Sequence, residues 1–537
     1  MATAATAASP GEERPLDRTT ILALLAMGAG VVVLANDFSA LSVALPAIEK
    51  QFDTDVGTVQ WVLNAYALTF GVLMVVGGRL ADMFGRKRIF MIGSAIFAGF
   101  SLLGGAAQDT SWLIACRALM GIGGAMMLPA ILGMTYAALP ESKAGLAGGL
   151  ILGAAGVGNA IGPLVGGLLT DLLSWRWIFF VNVPIAAFGV LATWFAIHQT
   201  EPEQNDRRID YAGVATLSLG LVSLLVALDQ ATDWGWGDPR IIVLLALCVA
   251  MLACFGIVER RKGEVALVPR DVMGNRNFSF ACLTVLLVSA TFFAAMLYLP
   301  QFMQKILGYS PLEAGAGLLP MMGTFAATSF AAGPLYTKLG PKLIVSLGAG
   351  ACFVGILLLS LLGEDSGYGG LVAGMLVLGL GLGLFYSSIT TAGVTALDAS
   401  RSSLAGGIVY MFQIAGGAIG LGLTTSVFIS RAQDSLNSHL ASVGAKVTHA
   451  QAELAHGILA GTSSSRQVVA QFPAVVAHRL ESLVRDAFVS GLHGAFRLDA
   501  ALAFGALLVA VLFVGGAMHR HPRRTAEPRR AHHQAAA

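Results

Sequence analysis

Charge is the scarcest commodity in this chain. Only 12% of its 537 residues are Asp, Glu, Lys or Arg, against about 25% in soluble domains. That leaves too little polar surface to coat a water-soluble globule of 55.6 kDa. Disorder is excluded by the opposite argument, because it needs low hydrophobicity and high charge. Here 56% of residues are hydrophobic and the mean hydropathy is +0.74. A net charge of +2 gives no case for a nucleic-acid partner. Cysteine is sparse too. Cys116, Cys248, Cys254, Cys282 and Cys352 all fall in apolar runs, so they read as small buried hydrophobes rather than a disulfide framework. No GxxxxGK[ST] loop, HExxH, GxSxG or pair of catalytic carboxylates is present. ATP as a driver, a cofactor and an enzymatic role are therefore not expected.

What is present is a series of long apolar runs. A helix needs about 20 apolar residues to cross a bilayer. Fourteen such runs occur, at 20–46, 57–79, 88–107, 111–139, 145–171, 177–198, 211–229, 240–259, 277–300, 312–338, 342–362, 369–392, 403–430 and 498–518. Residues 1–19 carry Glu12, Glu13 and Asp17 and lack the positive n-region of a secretory signal. The first run therefore reads as a retained span.

Basic residues fall on alternate loops. Arg79, Arg86, Lys87, Arg88, Lys143, Arg207, Arg208, Arg260, Arg261, Lys262, Arg270, Arg276, Lys338, Lys342 and Arg401 share one side, with Arg14 and Arg18 and the Arg-rich C-terminal tail. The opposite short loops hold Lys50, Arg176, Arg240 and Lys305. The positive-inside rule then places both termini in the cytoplasm.

The chain also repeats itself. Leu146-Ala-Gly-Gly149 recurs as Leu404-Ala-Gly-Gly407, and Ala160-Ile-Gly162 as Ala418-Ile-Gly420, both 258 residues on. GRLADMFGRK at 78–87 recurs as GPLYTKLGPK at 333–342, an offset of 255. Similar composition of Gly/Ala-rich helices explains the first pair less well than duplication does, because the second pair lies in a loop. The expected fold is an all-α polytopic membrane protein with two six-helix bundles and two extra central helices. Its expected parts are a tail at 1–19, a bundle at 20–198, a linker with two spans at 199–276, a bundle at 277–518 containing an extracytoplasmic loop 431–497, and a basic tail at 519–537. Parallel repeats of this kind suit alternating access.

Four segments add a family resemblance. Gly78-Arg-Leu-Ala-Asp82-Met-Phe-Gly85-Arg86-Lys87 lies between the second and third spans. Leu113-x-x-x-Arg117-x-x-x-Gly121-x-Gly123 lies in the fourth, and Gly158-x-x-x-Gly162-Pro163-x-x-Gly166-Gly167 in the fifth. Asn36-Asp37-Phe-Ser39-Ala-Leu-Ser42-Val-Ala-Leu45-Pro46 lies in the first. Together with Trp175-Arg176-Trp177-Ile-Phe-Phe-Val-Asn182 and Gln413-Ile-Ala-Gly416-Gly417, they resemble the major facilitator superfamily, in particular its fourteen-span drug:proton antiporter branch. The chain departs from the usual pattern at Met83, Met120, Ser39, Ser42 and Phe412.

The resemblance implies a proton-coupled exporter of lipophilic drugs or other toxic small molecules in a bacterial plasma (inner) membrane. A facilitator symporter importing a nutrient is the alternative. It implies a gating loop of Gly78, Asp82, Gly85, Arg86 and Lys87, whose ion pairs form in one state and break in another. It also implies an antiporter segment of Gly158, Gly162, Pro163, Gly166 and Gly167. Small residues there let helices approach closely, and Pro163 can bend the helix.

Asp37 is the one carboxylate in the middle of a first-half span. Burial favours its neutral form and Arg117 its charged form, so the pair is the expected proton-coupling centre. An Asp stapled to neighbouring Ser or Asn is the blander reading. Arg117 is expected to face a water-filled cavity between the halves, walled by Asn36, Tyr66, Tyr298, Tyr386 and Gln413. Glu313 is expected as a water-facing carboxylate at a helix start, and the ninth to fourteenth spans otherwise show no mid-membrane acid. His449, His456, His478 and His493 in the long loop lack metal-site spacing. The implied partners are a lipophilic substrate, protons and the lipid bilayer, and a monomer is expected.

Overall fold

The computed structural model describes residues 17–54, 56–139, 144–197, 210–262, 266, 268, 272, 274–309, 311–363, 366–397, 401–442 and 474–514. Most of both tails, the 198–209 linker and residues 443–473 lie outside the described residues. All regular structure among the described residues is helical. The helices are α1 (Arg18–Phe52), α2 (Val56–Phe84), α3 (Arg86–Gly105), α4 (Thr110–Ala138), α5 (Ala144–Leu172), α6 (Arg176–Ala196), α7 (Tyr211–Trp234) and α8 (Pro239–Lys262). Then come α9 (Arg276–Lys305), the short α10 (Pro311–Gly317) running into α11 (Leu319–Leu339), α12 (Pro341–Leu359), α13 (Tyr368–Thr395), α14 (Ser402–Ser442) and α15 (Ala474–Phe513). Fourteen helical segments are long and apolar enough to span a bilayer, with α10 and α11 sharing one of them. Each expected span has its counterpart.

The repeat is visible in the packing. In the first bundle α1 packs on α5, α6 and α4, α2 on α4, and α3 on α4 and α6. In the second, α9 packs on α14, α15 and α13, α11 on α13, and α12 on α13 and α15. The second set is the first with each helix replaced by its counterpart. The inter-bundle contacts follow the same exchange, since α5 meets α11 and α13 while α14 meets α2 and α4. The repeated loop also folds alike. Gly85 has φ 95° and Gly340 φ 83°, a region that glycine enters at no steric cost. Both glycines join two spans by a one-residue turn. The extra hairpin sits outside this symmetry, with α7 leaning on α14 and α2 and α8 packed mainly on α7.

Two boundaries differ from expectation, and one of the differences matters for function. The loop expected at 431–497, with an amphipathic helix expected in its last part at 482–496, is helical at both of its described ends. α14 runs on to Ser442, and α15 begins at Ala474 rather than at 498. The α15 extension packs on the end of the expected α14 span, with Phe428 against Phe488 at 5.2 Å between ring centroids. Arg485 also donates to the Ile306 carbonyl at the end of α9. The charges of Arg485, Asp486, His493 and Arg497 hid this part of the span, because a hydropathy run stops where charges cluster. The span-forming part of α15 is Arg485–Phe513, which moves Asp499 from a span's edge to its centre.

Candidate functional site

The structure places Asp37 and Arg117 together. Both side chains are fully buried, and Arg117 Nη1 pairs with Asp37 Oδ2. The other carboxylate oxygen, Oδ1, accepts from Asn182 Nδ2 at 2.8 Å. That amide also reaches Ser101 Oγ at 3.2 Å. Arg117 Nε donates to the Val62 carbonyl at 2.9 Å, and its guanidinium carbon lies 4.3 Å from the Tyr66 ring centre. A charge inside hydrocarbon survives only with partners, and α1, α2, α3, α4 and α6 each supply one. The cluster is incomplete, however. Arg117 Nη2, Tyr66 Oη and Asn182 Oδ1 are buried without a hydrogen-bond partner among the described residues. Three orphaned polar atoms thus surround one ion pair.

Arg117 lies inside the first bundle, held by Asp37 and the Val62 carbonyl, with Nη2 left unpartnered among the described residues. The link to the second bundle is aromatic instead. Tyr66 stacks on Phe70 at 5.5 Å, and Phe70 meets Tyr410 of α14 edge-on at 6.5 Å.

The expected cavity walls disperse in the same way. Tyr298 lies inside the second bundle, bonding Thr425 Oγ1 at 2.9 Å and stacking on Phe428 at 4.8 Å. Tyr386 bonds Ser289 Oγ at 3.0 Å and packs against Phe292 and Phe325. A phenol in hydrocarbon must find a hydroxyl or carbonyl partner, and for both residues that partner lies within their own bundle. Asn36 is at the α1–α5 seam, where its backbone nitrogen would lie 3.2 Å from a Cβ on Gly158. Gln413 sits on α14, 9% exposed. Glu313 is exposed at the start of α10, as expected.

The five small residues on α5 divide their work. A Cβ on Gly158 would lie 2.7 Å from the Val32 carbonyl oxygen. One on Gly162 would lie 3.0 Å from Ala40 N, and one on Gly166 2.8 Å from Ala40 C, so α5 and α1 touch backbone to backbone. Pro163 faces the other way, with its Cβ 3.1 Å from the Cβ position of Gly315 on α10. Gly167 is buried. The segment thus clamps the Asp37 helix on one side and touches the second bundle on the other. Gly162→Val forces α1 and α5 apart; we expect it to cost about 1–3 kcal/mol and to lower the thermal midpoint of the detergent-purified protein. An unchanged midpoint would show that the seam is slack.

The segment around the α2–α3 turn joins the halves. Asp82 Oδ1 accepts from Arg86 Nε at 3.2 Å, and its Oδ2 accepts from the backbone nitrogen of Leu404 at 2.9 Å. Leu404 is in the first turn of α14, so a carboxylate from one bundle caps a helix of the other. Arg86 Nη1 reaches the Gly133 carbonyl at 3.3 Å, and Lys87 Nζ reaches the Trp194 carbonyl at 3.0 Å near the end of α6. A Cβ on Gly78 would meet the Ser403 carbonyl oxygen at 2.8 Å. Tyr136 Oη and Thr391 Oγ1 close the α4–α13 seam at 3.0 Å. These contacts all lie toward the ends of the helices that carry the basic loops.

Two polar centres escaped the sequence reading. Asn182 was visible only as part of a signature, although an amide amid Phe-Val-Asn-Val-Pro needs a partner. Asp499 was lost with its span boundary.

Fold and site together define a membrane transporter built from two repeated six-helix bundles around a buried ion pair. The profile of the Major Facilitator Superfamily matches residues 27–421, and the chain belongs to that family. It is 30% identical over 503 residues to a tetracenomycin C resistance and export protein of Streptomyces glaucescens, covering 91% of this chain and 90% of that one. It is 33% identical over 429 residues to a puromycin resistance protein of Streptomyces alboniger, covering 79% and 85%. Identity to multidrug resistance protein 3 of Bacillus subtilis is 29% over 509 residues, covering 93% and 96%. A crystal structure of a human organic anion transporter superposes with a TM-score of 0.58 at 11% identity, covering 93% of this chain and all of that one.

Proposed function

We propose that the protein is a proton-driven exporter of lipophilic small molecules, working by alternating access in a bacterial plasma membrane with both termini in the cytoplasm. The observation that carries this reading is the Asp37–Arg117–Asn182 cluster in mid-bundle. The names of the relatives, two of them for resistance to an antibiotic, supply the direction of transport and the substrate class. Enzymatic chemistry has no part in this reading, and a monomer is sufficient for it.

Asp37 is the proton carrier. While ionised it holds Arg117. Protonation cancels the charge, and the guanidinium then has no anion and one nitrogen already unpartnered. Arg117 shifts, its Tyr66 platform shifts with it, and the change reaches α14 through Phe70 and Tyr410. Proton and substrate thus compete through linked states rather than by touching in one pocket. In the arrangement described here the basic-side ends of the bundles are locked together by Asp82 on α14. Protonation from the far side prepares the reversal. Each proton moving inward supplies about 2.3 kcal/mol per 100 mV and about 1.4 kcal/mol per pH unit. One proton sustains a modest gradient of a neutral or singly charged substrate.

The test is ethidium export from cells and from proteoliposomes with an imposed pH gradient. Wild type should lower ethidium accumulation, and an uncoupler should restore it. Asp37→Asn keeps the shape and the Asn182 contact but cannot release a proton; it should export at under a tenth of the wild-type rate. Full-rate export by this variant removes Asp37 from the mechanism.

A further inference from the structure

Asp499 has no role in the mechanism above, yet its setting is the most demanding of any carboxyl in the second bundle. It lies at the centre of the Arg485–Phe513 span and is fully buried. Its Oδ1 accepts from Thr424 Oγ1 of α14 at 2.8 Å. Its Oδ2 has no hydrogen-bond partner among the described residues. The next hydroxyl on α14, Thr425, bonds Tyr298 of α9 at 2.9 Å.

The repeat sharpens the comparison. α9 and α15 are the first and last helices of their bundle, as α1 and α6 are of theirs, and the latter pair joins Asp37 to Asn182. Asp37 is neutralised by Arg117 from α4. The counterpart of α4 is α13, which contains no Lys, Arg, Asp or Glu between Tyr368 and Thr395.

Among the described residues no other element supplies a cation to Asp499. On α9 the facing titratable group is Tyr298, a phenol. On α14, Arg431 and Asp434 lie seven and ten residues beyond Thr424, about 10 and 15 Å along the axis, and Arg431 is exposed. On α12, packed against α15 through Phe353 and Phe504, Cys352 is buried and Lys342 stands in the first turn. On α15 itself Arg497 is exposed two residues away, on the opposite face, and His493 bonds the Leu362 carbonyl. A buried carboxylate with no cation is not sustained in hydrocarbon; the group takes a proton instead.

We propose that Asp499 is a second proton-carrying site, occupied in this state, so that two protons enter for each substrate exported. Asp499 takes H⁺ from far-side water and returns it to the basic side when the bundle rearranges. Its carboxyl passes from COO⁻ to COOH and back, and no other group changes oxidation or bonding. The second proton doubles the driving force, which suits a substrate carrying positive charge outward against the membrane potential.

This inference rests on the proton-driven reading, but its first test does not. Infrared difference spectra of the purified protein at neutral pH, wild type minus Asp499→Asn, should show the C=O stretch of one protonated carboxylic acid. No acid band for Asp499 overturns the proposal. The second test counts protons per ethidium in proteoliposomes by balancing the pH gradient against the ethidium gradient. Wild type should give two and Asp499→Asn one. Thr424→Val should leave the ratio at two, because it removes only the hydrogen bond. If Asp499→Asn keeps the wild-type ratio while Thr424→Val is damaged, Asp499 is a helix staple and the proposal fails. If wild-type export proves independent of the proton gradient, the transport reading fails and the infrared band still decides the protonation of Asp499.

Discussion

Arg117→Leu is expected to destabilise the protein by about 3–5 kcal/mol, because it takes the cation away from a buried carboxyl that must then bind a proton. Asp37 would keep only the Asn182 amide, and the Val62 carbonyl would lose its donor. The Tyr66 ring would lose the cation that lies on it. Asp37→Asn, by contrast, leaves Arg117 with the Val62 carbonyl and the aromatic faces of Tyr66 and Phe179. The informative variant is the double one. Asp37→Asn with Arg117→Leu removes both charges together, so it should recover much of the stability that Arg117→Leu loses. It should export no better than either single variant, since no proton carrier remains in that bundle. Unfolding of the purified protein in mixed micelles measures the stabilities, and ethidium efflux measures the function. If the double variant is as unstable as the sum of the singles, the two residues are not a coupled pair.

The sequence made the spans and the repeat legible for one physical reason. Hydrocarbon admits backbone only as helices, so a run of apolar residues such as 88–107 has a single available outcome. Asp37 and Arg117 were legible for the same reason, since a charge in such a run must be answered by another. What a single run does not carry is direction around the helix. Tyr298 and Tyr386 share their composition with cavity-lining residues, yet each turns toward a hydroxyl in its own bundle. Nor does apolarity mark the end of a helix that leaves the bilayer. α14 runs on to Ser442 and α15 begins at Ala474, and the charges at Arg485, Asp486 and Arg497, which interrupt the hydropathy, put Asp499 at an edge. Asn182 was overlooked for a related reason, because a neutral amide interrupts hydropathy too weakly to stand out.

Asp82→Ala is expected to open the basic side of the molecule. The carboxylate makes two contacts at once, one to Arg86 in its own bundle and one to the first turn of α14 in the other. Hydrogen bonds to a charged group contribute about 1.5–3 kcal/mol each, and the field at a helix N-terminus adds to the second. Only the contact with Leu404 differs between the locked and unlocked arrangements, because Arg86 follows Asp82 across the one-residue Gly85 turn of the same bundle and moves with it. Losing that contact therefore shifts the balance between arrangements by about 10- to 150-fold. Alternating access needs both arrangements to be reached in each cycle, so a transporter resting in the unlocked one turns over slowly. Export should fall at least tenfold while the fold remains intact. Spin labels at Ala137 on α4 and Leu339 on α11, both exposed near the basic end of opposite bundles, should report a longer distance in Asp82→Ala than in wild type. Asp82→Asn keeps an oxygen for Leu404 but loses the charge, and should fall between the two. An unchanged distance in Asp82→Ala would mean that the close packing of Gly78 on Ser403, rather than the carboxylate, holds the halves together.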